Sequence, residues 1–437
     1  MIHERKGETI LVLEKQLTNG LNIIIEEIPY VRSVSFGIWV KNGSANETET
    51  ENGASHFIEH MLFKGTASRT AKSIAEEMDS IGGQINAYTT REYTCFYTRV
   101  LDKHAGKAMD ILQDMFFNSL FDNDGITRER SVIGEEIDMY DDAPDEACYD
   151  ILYAGIWNGS SMSMPILGTR KTIAPFDSEF LKDYMHKHYR CENTVIAATG
   201  NFKADEMLKE IEKLFGGWPR KDTDVPGTKS IPEYKPCALS KKKDIEQVHF
   251  VMAFPALKRG STEKYDLAVL NMAFGGSMSS RLFQRIREDK GLTYSIYSSV
   301  SAYEDCGLFS IYAAMNTNQC EEVITSILGE IKSLFTDKLD DKTINNTKEQ
   351  FISNIIMGNE NTQNRMMGMG ASKLLLGEYK GIEEDIKGIE AVTKDSVYKM
   401  AEKLFDMDKL SFCAVGNVEG VDFESIVQKG REKYFAG

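Results

Sequence analysis

The two halves of the chain repeat one order of predicted strands and helices. Near the end of the first half the sequence reads NTVIAATGNFKADEMLKEIEKLF, and the second half ends with KLSFCAVGNVEGVDFESIVQKGREKYF. Each stretch predicts an apolar strand, a Gly-Asn turn and an amphipathic helix, and the turn glycines Gly200 and Gly416 lie 216 residues apart. Upstream, GGQINAYTTREYTCFYTRV and KGLTYSIYSSVSAYEDCGLFSIY both read as a glycine followed by two alternating strands. Chance similarity between common β-turn-α units is the alternative, but two matches in the same order favour an internal duplication.

A duplicated chain of this length predicts two related domains. The 437 residues exceed a typical single domain, and each half combines strands with helices, as in the α+β class. Between them, residues 217–245 contain four of the nine prolines and lose all periodicity, which is typical of an extended linker. We therefore predict a domain at residues 1–216, the linker at 217–245, and a second domain at 246–437. Each domain should have a mostly antiparallel sheet packed against helices.

Composition disfavours several classes of function. Apolar residues make up 42% and charged residues 27% of the chain, which is ordinary for a soluble globular protein. The net charge of −16 argues against nucleic-acid binding, which needs a basic surface. The seven cysteines are scattered without a CxxC pair, so neither a disulfide framework nor a cysteine zinc site is expected. No apolar run approaches the roughly 18 residues of a membrane span, and the N-terminus does not resemble a signal peptide, so we expect a cytoplasmic protein without membrane contact.

The stretch HFIEH carries two of the seven histidines and a carboxylate within five residues. On a helix, successive residues advance by about 100°, so His56, Glu59 and His60 share one face roughly 100° wide. Two imidazoles one turn apart suit two nitrogen ligands of one zinc ion, and a glutamate beside them suits a general base. A partly exposed helix with solvent-facing histidines is the alternative, and a third ligand is needed to decide between the two.

A third ligand is predicted on the helix of residues 126–142. Its apolar stripe includes Ile133, and helical geometry places Glu129 and Glu136 within that stripe, whereas Glu135 falls outside it. A buried carboxylate is costly unless it is paired or binds a cation, so Glu136 is the candidate ligand. Glu129, two turns earlier, is a candidate to orient a ligand or the reacting water. Pairing with arginines, or a place on the wet rim of the helix, is the alternative for both carboxylates.

Three stretches together resemble the M16 metallopeptidases, also called inverzincins: HFIEHMLFKGT, GGQINAYTTREYTCFY and ERSVIGEEIDMYDD. The resemblance spans nearly the whole chain and is nearest to the mitochondrial processing peptidase β subunit and its bacterial single-chain relatives. It implies zinc held by His56, His60 and Glu136, with Glu59 as the base that activates water and Glu129 as a further catalytic carboxylate. The second half has no such motif, so one zinc ion per chain is expected.

The resemblance also implies where a peptide substrate binds. Asn86 and Ala87, on an edge strand after a Gly-Gly turn, correspond to positions that hold an extended peptide by main-chain hydrogen bonds. In the second half, Arg287 and Tyr294 have the family's seven-residue spacing. The tyrosine is expected to donate to the developing oxyanion, and the arginine is expected to grip the substrate backbone. Without the resemblance, these residues read as a plain edge strand, a surface arginine and a strand aromatic.

Three further residues concern specificity. Phe63 falls where processing peptidases line the pocket after the scissile bond. Glu146 and Asp150 fall where the processing β subunit has acidic residues that contact a substrate arginine two residues before the cut. A solvated acidic face is an equally good interpretation of these two carboxylates.

The sequence thus predicts a zinc endopeptidase that cleaves extended peptides or unfolded polypeptides, with its two domains facing each other around an enclosed chamber. Because one chain carries both the zinc motif and the Arg/Tyr pair, a homodimer is expected. A heterodimer is the alternative, since FGGSMSSRL is short where the processing α subunit has a long glycine-rich loop. A non-catalytic scaffold or a peptide-binding subunit of a larger assembly is the alternative to an enzyme, and the intact zinc motif argues against it.

Overall fold

The computed structural model describes residues 2–5, 8–221 and 231–435, and it describes side chains from residue 12 onward. The first half of the chain forms, in order, β1 (Ile2–Arg5), β2 (Glu8–Gln16), β3 (Asn22–Glu27), β4 (Ser33–Val40), α1 (Ala54–Leu62), α2 (Ala71–Ser80), β5 (Gln84–Thr89), β6 (Thr94–Leu101), α3 (Ala105–Asn118), α4 (Asn123–Asp142), α5 (Pro144–Ile156), α6 (Arg170–Ile173), α7 (Ser178–His188), β7 (Thr194–Gly200) and α8 (Ala204–Phe215).

The second half repeats this mixture of strands and helices. It forms β8 (Ala238–Lys242), β9 (Gln247–Pro255), α9 (Lys264–Phe274), β10 (Ser295–Ala302), β11 (Gly307–Asn316), α10 (Cys320–Thr336), α11 (Asp341–Gly358), α12 (Thr362–Leu376), α13 (Ile382–Ala391), α14 (Lys394–Leu404), β12 (Ser411–Gly416) and α15 (Phe423–Phe435). Within the described ranges, none of these helices is both long enough and apolar enough to cross a lipid bilayer.

The described strands form two sheets with the same core order. The first sheet runs β1-β2-β3-β7-β4-β6-β5, and the second runs β10-β11-β9-β12-β8. Read from β5, the first sheet matches the second strand for strand and adds β2 and β1 beyond β3. In both sheets a single parallel pair, β3 with β7 and β8 with β12, interrupts otherwise antiparallel pairing. The predicted α+β class is confirmed, and the shared strand order supports the internal duplication.

Packing divides the chain into two compact units, each assembled from three segments. The first unit contains the described residues within Met1–Ile137, Met164–Lys229 and Ile356–Gly381. The second unit contains those within Asp138–Ser163, Ser230–Ile355 and Ile382–Gly437. The segment that carries α5 therefore packs with the second unit, and the segment that carries α12 packs with the first.

These units differ from the continuous domains that the sequence predicts, because helical periodicity shows that a face is buried but not which sheet buries it. Helix α12 buries Met366 and Met369 in one cluster with Trp39 of the first sheet. In the second unit, Cys148 of α5 donates from Sγ to the carbonyl oxygen of Cys413 over 3.2 Å. The middle of the predicted linker, residues 222–230, lies outside the described residues. The domain limits at 216 and 246 stay a prediction.

Helix α1 is fixed in the first unit by its apolar face. Phe57, Ile58 and Met61 are fully buried in a core that also contains residues of β3, β4, β6 and β7. Burial of this face leaves Glu59 and His60 only partly exposed. Since α1 carries the HFIEH stretch, the packing of three apolar side chains determines where the polar ones lie.

Candidate metal centre

A buried carboxylate holds the start of α1. Glu47 accepts the backbone N–H of Ser55 on Oε1 and that of Gly53 on Oε2, both over 2.8 Å. The first N–H groups of a helix have no partner within the helix, so an acceptor placed here stabilises its first turn. Gly53 has a φ of 97°, and a Cβ at this position would lie 2.7 Å from the carbonyl oxygen of Leu167. Only glycine fits this entry to the helix.

Helix α4 brings the two predicted glutamates to the histidines of α1. Glu136 Oε2 lies 3.4 Å from His60 Nε2 and 3.6 Å from His56 Nε2. Glu129 is 7% exposed, and its Oε2 lies 3.2 Å from His60 Nδ1. Glu135 points away with its side chain 83% exposed. Glu129 and Glu136 therefore lie on the face of α4 that meets α1, as helical periodicity predicts, and Glu135 lies on the solvent-facing side.

The donor set of His56, His60 and Glu136 fits a zinc ion. One ligand atom from each of these residues lies within 4.8 Å of the other two, and no other such group of histidine, cysteine or acidic residues occurs in the part of the chain that the structure describes. In a tetrahedral site with metal–ligand distances of about 2.1 Å, neighbouring ligand atoms lie about 3.4 Å apart. Two imidazole nitrogens and one carboxylate oxygen are a common ligand set of catalytic zinc. The separations and the chemistry both agree with zinc.

Burial and the neighbouring carboxylates shift the pKa values of the residues in the cluster. Burial, aided by the neighbouring His60, lowers the pKa of His56 to about 4, so its ring is neutral at neutral pH as a metal ligand requires. Burial also lowers the pKa of His60, but its hydrogen bonds with Glu136 and Glu129 outweigh burial and leave that pKa raised. The hydrogen bond from His60 is the main reason why the pKa of Glu136 is lowered. The two glutamates thus favour a positive charge beside His60, whereas burial disfavours a proton on His56.

Glu59 lies on the same face of α1 and meets a residue of the edge strand β5. Its Oε2 accepts the hydroxyl hydrogen of Thr89 over 2.6 Å. Burial raises the pKa of the Glu59 carboxyl, and the hydrogen bond from Thr89 partly offsets that rise. A carboxylate with a raised pKa is a stronger base at neutral pH, which suits the predicted role of Glu59.

Two contacts at the centre were not anticipated from the sequence. Thr89 bonds Glu59, and Lys64 pairs with Glu129 with 2.8 Å between Nζ and Oε1. Both had a local signal: Lys64 follows His60 by four residues and so continues the same helical row, and strand alternation places Thr89 on the side of Ala87, which packs in the core.

The predicted substrate residues Asn86 and Ala87 lie on β5, at the end of the first sheet. The backbone N–H of Thr90 donates to the carbonyl oxygen of Tyr93 over 2.8 Å, which fixes the hairpin register. Antiparallel pairing alternates, so the backbone groups of Ala87 and Thr89 point away from β6 towards the outer edge. The Ala87 N–H is instead bonded by the Asn86 side chain, with 2.9 Å from N to Oδ1.

Of the other residues predicted to contact substrate, one lies in the first unit and four lie in the second. Phe63 directly follows α1 and packs, partly buried, beside the core of the first unit. In the second unit, Glu146 and Asp150 lie one turn apart on α5, and burial raises the pKa of Glu146. Also in the second unit, the Arg287 guanidinium carbon lies 5.1 Å from the ring centre of Tyr294, which is 79% exposed. The roles of these five residues stay predictions.

Comparison with known proteins decides the family. The model described as Insulinase (Peptidase family M16) matches residues 22–170, and the model described as Peptidase M16 inactive domain matches residues 175–351. A protein of Bacillus subtilis named uncharacterized zinc protease YmxG is 44% identical over 390 residues, which are 89% of this chain and 95% of the relative. The chain belongs to the M16 peptidase family.

A further relative and two solved structures are also similar to the chain. An uncharacterized zinc protease of Streptomyces coelicolor is 35% identical over 88% of this chain and 85% of its own length. The crystal structure of a protease from Helicobacter pylori has a TM-score of 0.87 at 17% identity, covering 93% of this chain and 99% of that one. A Pseudomonas fluorescens structure described as a peptidase M16 inactive domain gives 0.86 at 17% identity, with 93% and 98% covered. These two structures share the fold of the chain.

The two M16 family models divide the candidate residues between them. The first matched region contains the whole histidine–glutamate cluster, Glu59 and β5. The second, whose description calls its domain inactive, covers Arg287 and Tyr294 and has no HxxEH motif. Because the relatives are named zinc proteases, a peptidase that uses zinc is the function that the family supports.

Proposed function

We propose that this M16 protein is a zinc-dependent endopeptidase that cleaves extended peptides or unfolded polypeptide segments. The observation that carries the proposal is the convergence of His56, His60 and Glu136 beside the half-buried carboxylate of Glu59. Two purely structural helices have no need to bring two histidines and two carboxylates together in one partly buried cluster, since each polar group there loses solvation. A bound cation would account for His56, His60 and Glu136 as ligands, and a reacting water would account for Glu59 as a base.

In the proposed reaction, His56, His60 and Glu136 would hold zinc, which would act as a Lewis acid on the scissile carbonyl and would lower the pKa of the reacting water. Glu59 takes a proton from the attacking water, and the water oxygen forms a bond to the carbonyl carbon as the π electron pair of the carbonyl moves to its oxygen. The carbonyl double bond then re-forms while the carbon–nitrogen bond breaks, and Glu59 gives its proton to the leaving amine. The roles of Tyr294 as a donor to the oxyanion and of Arg287 as a grip on the substrate backbone are part of this proposal.

The proposed substrate is an extended segment that adds to the outer edge of β5. Main-chain groups of Ala87 and Thr89 point to this edge, so a peptide strand could pair with them whatever its side chains are. The Asn86 side chain, which bonds the Ala87 N–H over 2.9 Å, would have to release it first. Recognition through main-chain bonds suits unfolded segments, because folded proteins rarely present an unpaired strand.

The decisive experiment removes the base and leaves the ligands in place. Zinc content and cleavage of a fluorescence-quenched unstructured peptide are measured for the wild type and for Glu59→Gln. We expect near-stoichiometric zinc in both proteins, and a loss of at least about a hundredfold in kcat for the variant. Chelation should abolish the wild-type activity, and added zinc should restore it.

The matched control is Glu135→Gln, which neutralises an exposed carboxylate of α4 and should leave zinc content and kcat unchanged. A wild-type protein that binds no zinc, or a Glu59→Gln variant that cleaves normally, would contradict the proposal. Zinc binding without any cleavage would support a peptide-binding subunit instead.

A further inference from the structure

Thr89 connects the edge strand to the candidate base. It is the last residue of β5, and its backbone points towards the outer edge of the sheet. Its side chain points out of the plane of the sheet, on the face of Ala87 and α1, where its hydroxyl donates to Glu59 Oε2 over 2.6 Å. One residue therefore contacts the base through its side chain and faces the proposed peptide site through its main chain.

The direction of this hydrogen bond follows from a count of hydrogens. A threonine hydroxyl has one hydrogen to donate, and an ionised carboxylate can only accept. The neighbouring hydroxyl of Thr94, 3.4 Å away, uses its own hydrogen on the carbonyl oxygen of Asn42 over 2.9 Å. The Thr89 hydrogen is thus left for Glu59.

The two carboxylate oxygens of Glu59 differ in their hydrogen bonding. Oε2 is held by Thr89, whereas Oε1 receives no hydrogen bond from the residues that the structure describes. A glutamate side chain has three rotatable bonds and loses rotamer entropy when it is fixed. A short bond to one oxygen fixes the carboxylate and leaves the other oxygen for a reacting water, as proton transfer requires.

We propose that Thr89 is a positioning residue that holds the Glu59 carboxylate in its reactive orientation and links that orientation to peptide binding at the edge of β5. The inference rests on the proposed endopeptidase function and adds to it a residue that touches neither zinc nor the scissile bond. A peptide strand that pairs with the main chain at Thr89 would restrain the same residue that holds the base. Peptide binding and alignment of Glu59 would then be coupled through one side chain.

Three variants test this role. Thr89→Val keeps the branched shape but removes the hydroxyl, and Thr89→Ser keeps the hydroxyl but removes the methyl group. The matched control is Thr98→Val on the adjoining strand β6, because Thr98 is fully buried and its hydroxyl has no hydrogen-bond partner in the described structure. The same Thr-to-Val change is thereby made in the same sheet, away from Glu59.

Kinetics on the quenched peptide, zinc content and thermal stability are measured for all four proteins. We expect Thr89→Val to lower kcat about ten- to a hundredfold, the value of one hydrogen bond to a charged group, with KM within about twofold. Thr89→Ser should recover most of that kcat, and Thr98→Val should keep wild-type kcat. Zinc content should be the same throughout, since none of these residues is a candidate ligand.

Each departure from this pattern has a distinct meaning. Wild-type kcat in Thr89→Val overturns the positioning role, and so does a Thr89→Ser variant as slow as the valine variant, because the methyl group would then be what matters. A rise in KM alone would also overturn it, since the role would be in peptide binding only. If the wild-type protein shows no chelator-sensitive cleavage, the endopeptidase proposal itself fails, and the Thr89 inference falls with it.

Discussion

The two histidines of the zinc motif differ in what holds their second ring nitrogen. His60 Nδ1 lies 3.2 Å from Glu129, whose other oxygen pairs with Lys64. His56 Nδ1 is buried and has no hydrogen-bond partner among the described residues. A carboxylate behind a ligating imidazole orients the ring and raises its basicity. Of the two rings, His60 is therefore the one whose orientation is set by an outer carboxylate.

This difference predicts the effect of Glu129→Gln on zinc binding. The change removes the negative charge behind His60 and the ion pair with Lys64, so we expect zinc affinity to fall about ten- to a hundredfold. Competition with a chromogenic chelator measures the affinity directly. Glu135→Gln on the same helix is the control and should bind zinc as the wild type does. Equal affinities for the two variants would show that Glu129 does not orient the ligand.

At the scale of the element, the N-terminus of helix α1 is hydrogen-bonded to a buried glutamate whose ionisation is costly. Glu47 is 4% exposed, and its oxygens accept two backbone N–H groups at the start of the helix. Burial raises the pKa of Glu47 to about 6, although the bonds from Ser55 and Gly53 act in the opposite direction. The folded protein therefore keeps this proton to a higher pH than the unfolded chain does.

The stability contributed by this proton should be complete below about pH 4.5 and should be lost as the pH rises through the folded pKa of about 6. The difference from an ordinary glutamate corresponds to about 2 kcal/mol in the free energy of unfolding. Urea unfolding of the wild type and of Glu47→Gln at several pH values checks this, because subtraction removes the titration of groups that both proteins share. A constant difference between the two proteins across this range would contradict the raised pKa.

At the scale of the whole molecule, the two halves of the sequence each supply a helix to the other half's unit. Helix α12 enters the first unit, where Arg365 forms a buried ion pair with Glu26 and Gly370 lies against Trp39. A Cβ on Gly370 would lie 2.7 Å from the Trp39 ring, so the close approach requires glycine. Helix α5 enters the second unit in the same way. Neither half contains all the residues that cover its own sheet.

This exchange predicts the behaviour of the two halves as separate chains. Residues 1–221 and 231–437, expressed together, should associate and co-purify, whereas either chain alone should aggregate, because it exposes apolar surface that the other half covers. Co-expression with Gly370→Leu should weaken the association, since the added side chain collides with Trp39. Gly368→Leu is the control, because a Cβ on Gly368 meets no atom within 4 Å. Two halves that fold independently and do not associate would contradict the prediction.

Periodicity along the sequence determined the α+β class, the duplicated order of strands, and the faces of α1 and α4 that carry His56, His60, Glu129 and Glu136. These features are local, since a turn of helix or a pair of strand residues decides which side a chain segment buries. Only the tertiary structure decided that Thr89 donates a hydrogen bond to Glu59 and that Glu47 accepts the backbone N–H groups at the start of α1. It also decided that α5 packs with the second unit and α12 with the first. A buried face looks the same in sequence whichever surface covers it, and a hydroxyl or carboxylate acquires its partner only when distant segments are brought together by packing of the core.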